Sequence, residues 1–445
     1  MYRKLLLLVV IIITQQLSAQ EVSTTFWKKS TKKKSEGLMK DGKETGLWTF
    51  WYQTGQKWCE GNFKDGNKTG LWKFWYEEGQ KWMENYIDSG MNTAWYKTGQ
   101  KEHEGIVINY KKEGKWLTWF TNGNIKEEAI YVNGLKEGIS KGYYDDGNKK
   151  FEGMNSHDKL NGYAVWWFPS GQKEMEGKSI DDLQDSTWFF YYPNGKTGST
   201  GNFKNGNQDG VWTYYYETGE KWKQLNYKNG SREGLCTAWY ETGVKDREGN
   251  FKDNKESGVW TSWWNNGAKK LEGEFIEARK FGVWTSWYYY GGIKSEITYK
   301  DDFKNGVSKN YFENGKPMSE ETYKLGVQEG PCSHWYETGL IQEKGSFKDG
   351  LKEGFWEFHD LYGIKMKAQN YTKGKPDGKW IEYYQDGKKK AEGEYHQLYK
   401  EGRWTYWDKN GNIIYQVDYK NNVKQKVLIN LMQDQTPKEP EIEKY

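Results

Sequence analysis

Five histidines, three cysteines and a few paired aspartates are the side chains of this 445-residue chain most able to carry chemistry. Nucleophilic hydrolysis needs a nucleophile, a base and an orienting group held together, and glycoside cleavage needs two positioned carboxylates. His103, His157, His334, His359 and His396 are scattered, and the acidic residues recur without any pair standing apart. The histidines read as surface variation, with His359 standing where an aromatic otherwise recurs. Asp145-Asp146, Asp181-Asp182 and Asp301-Asp302 fall in loops where calcium would be the chemistry. No twelve-residue calcium loop surrounds them, so they read as solvated turn residues. Cys59, Cys236 and Cys332 are odd in number and far apart, giving neither a disulfide framework nor a paired metal motif. They read as small apolar substitutes in a packed register. Neither a phosphate-cradling loop nor a dinucleotide fingerprint is present. No catalytic, cofactor-binding or metal-ligating residue is assigned, no cofactor is expected, and the chain is not expected to be an enzyme.

The elements that would position any site repeat on a 24-residue period. A glycine stands at 46, 70, 90, 114, 138, 162, 210, 234, 258, 282, 306, 330, 354, 378 and 402, with Ser186 in the same series. The single irregular step, 20 residues from Gly70 to Gly90, marks a four-residue deletion. A second glycine follows every anchor nine residues later, from Gly55 to Gly411. A fixed period of this length means one supersecondary unit stacked many times, each unit contacting mainly its neighbours.

Each unit reads as a hairpin. The segment after the anchor, such as Leu47 to Tyr52 or Val259 to Trp264, is aromatic and β-branched, which suits a strand. Position five after the anchor is aromatic in fifteen of sixteen copies, and His359 is the exception. Asn122-Gly123, Asn266-Gly267 and Thr54-Gly55 then supply a turn. A second strand carries Glu60 and Phe63, or Glu272 and Phe275, before Asp65-Gly66 or its counterpart turns the chain back. Two fixed glycines per unit, each costing about 1 kcal/mol in a helix, oppose helical stacking. The expected fold is all-β: an elongated, single-layer, twisted antiparallel sheet of tandem 24-residue β-hairpin repeats. Aromatics fall on both alternation faces, and cross-strand pairs of them can replace a deep core.

Organisation follows from the same register. Residues 1–19 form an expected signal peptide, with Arg3 and Lys4 before the apolar run Leu5 to Ile13 and cleavage after Ala19. Residues 20–45 are a degenerate first repeat, 46–425 hold sixteen repeats, 426–432 make a capping strand and 433–445 a polar tail. With 66 basic and 62 acidic residues the formal charge is +4, too even for a nucleic-acid partner. Lys32, Lys33 and Lys34 form only a short local patch. The low mean hydropathy of -1.07 would suit disorder, but 26 Trp, 34 Tyr and 18 Phe argue for order. No segment reaches membrane-spanning length, so the expected localisation is secreted or cell envelope, in the periplasm or at the surface.

The pattern anchor-x-Trp-x-x-aromatic-Tyr, turn glycine, Lys, Glu and later Gly resembles the MORN repeat, in its bacterial variant. It is carried by Gly210, Trp212, Tyr215, Tyr216, Gly219, Lys221, Tyr227 and Gly230. It returns at Gly378, Trp380, Tyr383, Tyr384, Gly387, Lys389, Glu392 and Tyr395. The resemblance covers roughly residues 22 to 420. It implies elongated β-hairpin arrays and protein interaction or scaffolding; the antitoxin label common among bacterial relatives sits poorly with an exported chain. Family members that are enzymes carry a separate catalytic domain beside the repeats, and none is expected here. The expected partner is another protein or a second copy of the chain, bound through the aromatic ribbon. The alternative is an envelope polysaccharide stacked on Trp and Tyr faces. Asn92, Ser140, Ala164 and Ser308, which replace the early Trp, and His359 with Asp360, are expected to open a local groove or loosen the sheet.

Overall fold

A computed structural model describes residues 20–431. The expected signal peptide, the polar tail and Met432 of the expected cap lie outside them. Among the described residues there are 36 strands, and no helix is long and apolar enough to cross a membrane. The chain divides into two units at Gln208–Asp209. The first holds seventeen strands, from Glu21–Phe26 to Thr197–Lys204, and the second nineteen, from Asn207–Tyr215 to Val423–Asn430. Within each unit the strands form an antiparallel meander in which chain neighbours pair. The fold is all-β hairpin repeats.

The strands extend further than their aromatic segments. The first strand of a unit begins three residues before its anchor, at Lys43–Trp51 rather than after Gly46, and Lys255–Trp263 behaves alike. The anchor glycine therefore sits inside a strand. Its pairing explains why: Gly37 faces Trp48 while Leu38 faces Thr45, so Gly46 and Leu47 are two extra residues on one side of the ladder. This is a β-bulge, and Gly46 holds it at φ 63°, in the left-handed region that glycine enters without a Cβ penalty. Ser186 holds the same conformation at φ 59° with a side chain attached.

The two turns divide the labour differently from the expectation. In Tyr52–Gln56 only Gly55 has positive φ, and its N–H donates to Tyr52 O at 3.0 Å. Asn122 in the equivalent turn does not enter the left-handed region; its Oδ1 accepts from the Asn124 N–H. Both Asp65 (φ 50°) and Gly66 (φ 81°) do enter it, so the return turn is the tight two-residue hairpin type.

The core is built from rings laid on backbone. Trp72 is wholly buried, and a Cβ added to Gly61 on the facing strand would lie 2.2 Å from its ring. This glycine of the second strand is the floor on which the next unit's indole rests. Gly37 with Trp48, Gly345 with Trp356 and Gly393 with Trp404 repeat the arrangement. Each indole N–H also donates to the carbonyl one residue on, Trp72 to Asn62 O at 3.2 Å and Trp188 to Lys178 O at 2.9 Å. The bulge thus places a large apolar ring and satisfies a backbone acceptor together.

The four-residue deletion removes two residues from each strand of one hairpin. Lys81–Tyr86 has six residues where its counterparts have eight, and Ser89–Trp95 seven instead of nine.

Candidate functional site

Most recurring polar and aromatic residues are engaged in holding units together. Lys57 Nζ pairs with Glu60 Oε2 at 2.7 Å and lies 5.1 Å from the ring centroid of Trp75, in the next unit. Lys149, Glu152 and Trp167 repeat the set, as do Lys389, Glu392 and Trp407. The Lys149 hydrogen bond holds the Glu152 carboxyl below its ordinary pKa, and Lys245 and Lys269 do the same for Glu248 and Glu272. One position beyond the register aromatic, Tyr52 Oη donates to Trp75 O at 3.0 Å and Tyr384 Oη to Trp407 O at 2.7 Å. The acid before the anchor accepts from the next return turn, as Glu113 does from the Asn133 N–H and Glu353 from Lys373. Periodic carboxylates and rings are accounted for by these contacts.

In the units that break the pattern, the side chains that replace the early tryptophan stay covered. Asn92, Ser140, Ala164 and Ser308 are all buried. Where the indole is lost, the facing glycine has often grown: Leu225 faces Cys236 and Ile297 faces Ser308. The side-chain volume has changed strands. Asp360 Oδ1 accepts from the N–H groups of Tyr362 and Ile364 at 2.9 Å, fixing its turn. His359 lends its carbonyl to Tyr336 Oη, and its imidazole is pulled below the ordinary pKa by burial.

One such swap has a different character. Glu321 faces Cys332, in the slot that holds a glycine and an indole elsewhere, and His334 lies two residues along the same strand. His334 Nε2 is 3.3 Å from Glu321 Oε1 and 3.7 Å from Cys332 Sγ, while Nδ1 is 2.8 Å from Glu343 Oε1. Gln328 Nε2 and Tyr323 Oη donate to the two oxygens of Glu321 at 3.1 and 2.8 Å. Lys352 Nζ lies 3.3 Å from Glu343 Oε2. The hydrogen bond with Cys332, then that with Glu343, raises the imidazole pKa to about 10 against the opposing effect of burial. Glu343 is shifted the other way: burial would raise it, but His334 and Lys352 together hold it low. Among the described residues this is where three side chains able to ligate a metal converge, with ligand atoms within 4.8 Å of one another.

The other groups weighed in the sequence are placed apart. His103 stacks on Trp116 at 6.0 Å, and burial lowers its pKa. His157 sits 3.8 Å from Glu137, and His396 3.4 Å from Asp377. Asp182 Oδ1 and Asp302 Oδ1 accept from the N–H groups of Leu160 and Lys280, and Asp146 Oδ1 from Asn148. Cys59 is buried against Phe74, its thiol pushed up to about 11 by desolvation. Sequence reasoning passed over the convergence at Cys332 because its members lie on adjacent strands among many periodic acids. The available signal was a cysteine and a histidine two apart, the cysteine displacing the register indole.

What the fold leaves uncovered is a row of smaller apolar side chains directly after the anchors. In the second unit Val211, Leu235, Val259, Val283, Val307 and Phe355 are 39% to 57% exposed. Each stands beside an indole, cysteine or serine that points to the opposite, buried face. Polar residues face them across the ladder, such as Asn226, Asn250 and Thr298. From Val211 to Val307 successive members are two strands, about 10 Å, apart, and Pro331 holds the place between Val307 and Phe355.

The family model described as MORN repeat variant matches nine segments: 44–65, 68–88, 112–133, 184–205, 208–229, 232–253, 304–325, 376–397 and 400–421. No curated protein matches the chain. Among solved structures, a TcdB2-TccC3 crystal structure aligns at 12% identity over 86% of this chain and 26% of that one, with TM-score 0.15. The Tc holotoxin pore of Photorhabdus luminescens aligns at 8% identity over 90% of this chain and 30% of that one, with TM-score 0.14. The chain spans less than a third of those solved chains, and superposition this poor carries no argument.

Proposed function

The chain belongs to the MORN repeat family, in its variant form, and we propose that it works as an exported binding scaffold for another protein. The observation that carries this reading is the exposed apolar row Val211, Leu235, Val259, Val283, Val307 and Phe355. The fold fills its packed face with indoles resting on glycines, yet spends valine, leucine and phenylalanine where serine or lysine would keep the same strands. Apolar side chains at a fixed rise, alternating with Asn and Thr, suit an extended partner surface with apolar anchors and peripheral hydrogen bonds. This moves the binding role from the aromatic ribbon to the row beside it. Sugar stacking draws less support, because the indole faces of Trp48, Trp72 and Trp356 are occupied by backbone. Export rests on the leader-like residues 1–19.

The test pairs native-cell affinity capture with Val259→Glu/Val283→Glu, checked for an unchanged circular dichroism spectrum. The reading expects an envelope protein retained by the native chain and lost from the variant. A monomeric native chain that retains no envelope protein overturns it. A mature protein found in the cytoplasm with residues 1–19 still attached overturns the export part alone.

A further inference from the structure

We propose that Glu321, Cys332 and His334 form a mononuclear site for a zinc-class divalent transition metal. Tetrahedral zinc, with about 2.3 Å to sulfur and about 2.0–2.2 Å to nitrogen and oxygen, sets its donors roughly 3.6 Å apart for S···N and roughly 3.4 Å for N···O. The observed separations are 3.7 Å for Cys332 Sγ to His334 Nε2 and 3.3 Å for His334 Nε2 to Glu321 Oε1. Two edges of the coordination polyhedron are already in place, and the third atom pair lies within 4.8 Å. The metal takes the positions of the protons on Sγ and Nε2. A thiolate, a carboxylate and a neutral imidazole then balance a divalent charge, and the mixed soft and borderline donors favour zinc, cobalt or copper over calcium or magnesium.

The surroundings match what such a site requires. Glu343 Oε1 accepts from His334 Nδ1 at 2.8 Å, which fixes the ring and presents Nε2 to the ion, the carboxylate–histidine–metal arrangement. Lys352 in turn pairs with Glu343. Glu321 is oriented by Tyr323 and Gln328. Of the three cysteines, Cys59 faces Phe74 and Cys236 faces Leu225, whereas Cys332 alone faces a carboxylate. Cys332 is 2% exposed while the His334 side chain is 28% exposed, so an ion has a route in from the histidine side, where a fourth ligand can come from water.

The full chain, stripped with a chelator, is titrated with Co2+ and the bound ion then displaced by Zn2+. One equivalent of Co2+ with a thiolate-to-cobalt charge-transfer band is expected. Cys332→Ser and His334→Ala should abolish the band. Glu343→Gln should weaken Co2+ binding about 10- to 100-fold, as losses of an orienting carboxylate do. Cys59→Ser and Cys236→Ser should leave it unchanged. Far-ultraviolet circular dichroism reports whether each variant keeps its sheet. A folded native chain that binds no Co2+, binds it without the band, or keeps the band in folded Cys332→Ser, overturns the proposal.

Discussion

Replacing Gly61 by leucine should dislodge Trp72, and replacing Trp72 by cysteine in the same chain should restore the slot. A Cβ at 61 would lie 2.2 Å from the indole, so the ring cannot stay. Expelling an aromatic that buries about 200 Å² forfeits about 5 kcal/mol at ~25 cal/mol per Å². Loss of the indole hydrogen bond to Asn62 O adds about 1 kcal/mol. The buried leucine returns about 2 kcal/mol, leaving a net loss of roughly 4 kcal/mol. Trp72→Cys alone leaves an unfilled slot and should cost about 3–5 kcal/mol. Together they reproduce the Leu225–Cys236 pairing found elsewhere in the chain. The double variant should therefore be no worse than either single one, an interaction energy at or beyond the upper end of the usual ~0.5–3 kcal/mol. Stability in a repeat array is local, so the assay is amide hydrogen exchange by mass spectrometry on peptides spanning 57–75, with 389–407 as the internal reference. Additive losses, with the double variant exchanging faster than both singles, would refute reciprocal packing.

Ser186→Gly should slow local exchange by about 0.5–1 kcal/mol. It relieves a left-handed residue costing about 1–2 kcal/mol and returns part of that as glycine's unfolded-state entropy. Tyr384→Phe deletes the 2.7 Å bond to Trp407 O and should cost about 1 kcal/mol in the same assay, with circular dichroism unchanged. The lowered carboxyls of Glu152, Glu248 and Glu272 contribute stability that is present above the ordinary glutamate value of 4.5 and lost as pH falls through their folded values. Urea midpoints should therefore drop between pH 5 and pH 3, and less steeply in Glu152→Gln/Glu248→Gln/Glu272→Gln. An equal drop in that variant would remove these carboxyls from the explanation.

The period, the hairpin and the turn glycines were legible because each depends on residues close in sequence. Gly55 closes its turn onto Tyr52, and Asp65-Gly66 can do little but reverse the chain. The anchor was misassigned to a strand start because a lone glycine among aromatics looks like a boundary, whereas Gly46 makes a bulge visible only against the facing strand. Gly61 posed the same difficulty: its reason is a ring eleven residues later. The breaks at Asn92, Ser140, Ala164 and Ser308 looked like defects when taken singly, and Ser308 reads as compensation once Ile297 is seen facing it. Glu321, Cys332 and His334 stayed hidden for a related cause. One glutamate among many periodic acids carries no mark until pairing puts it opposite a thiol.

The shortened hairpin says what kind of length change this lattice admits. Two residues are missing from each strand, and Tyr76 Oη still donates to Trp95 O at 2.9 Å, as its counterparts do in full-length units. Removing residues two at a time keeps every remaining side chain on its own side of the pleat, while removing one would invert the strand. Trimming is therefore quantised by parity and confined to the margin formed by the return turns, since the other margin is pinned by the tyrosine ladder. The two margins obey different rules: one conserves its outline, and the other can be notched or lengthened in steps of four residues without disturbing the lattice between them.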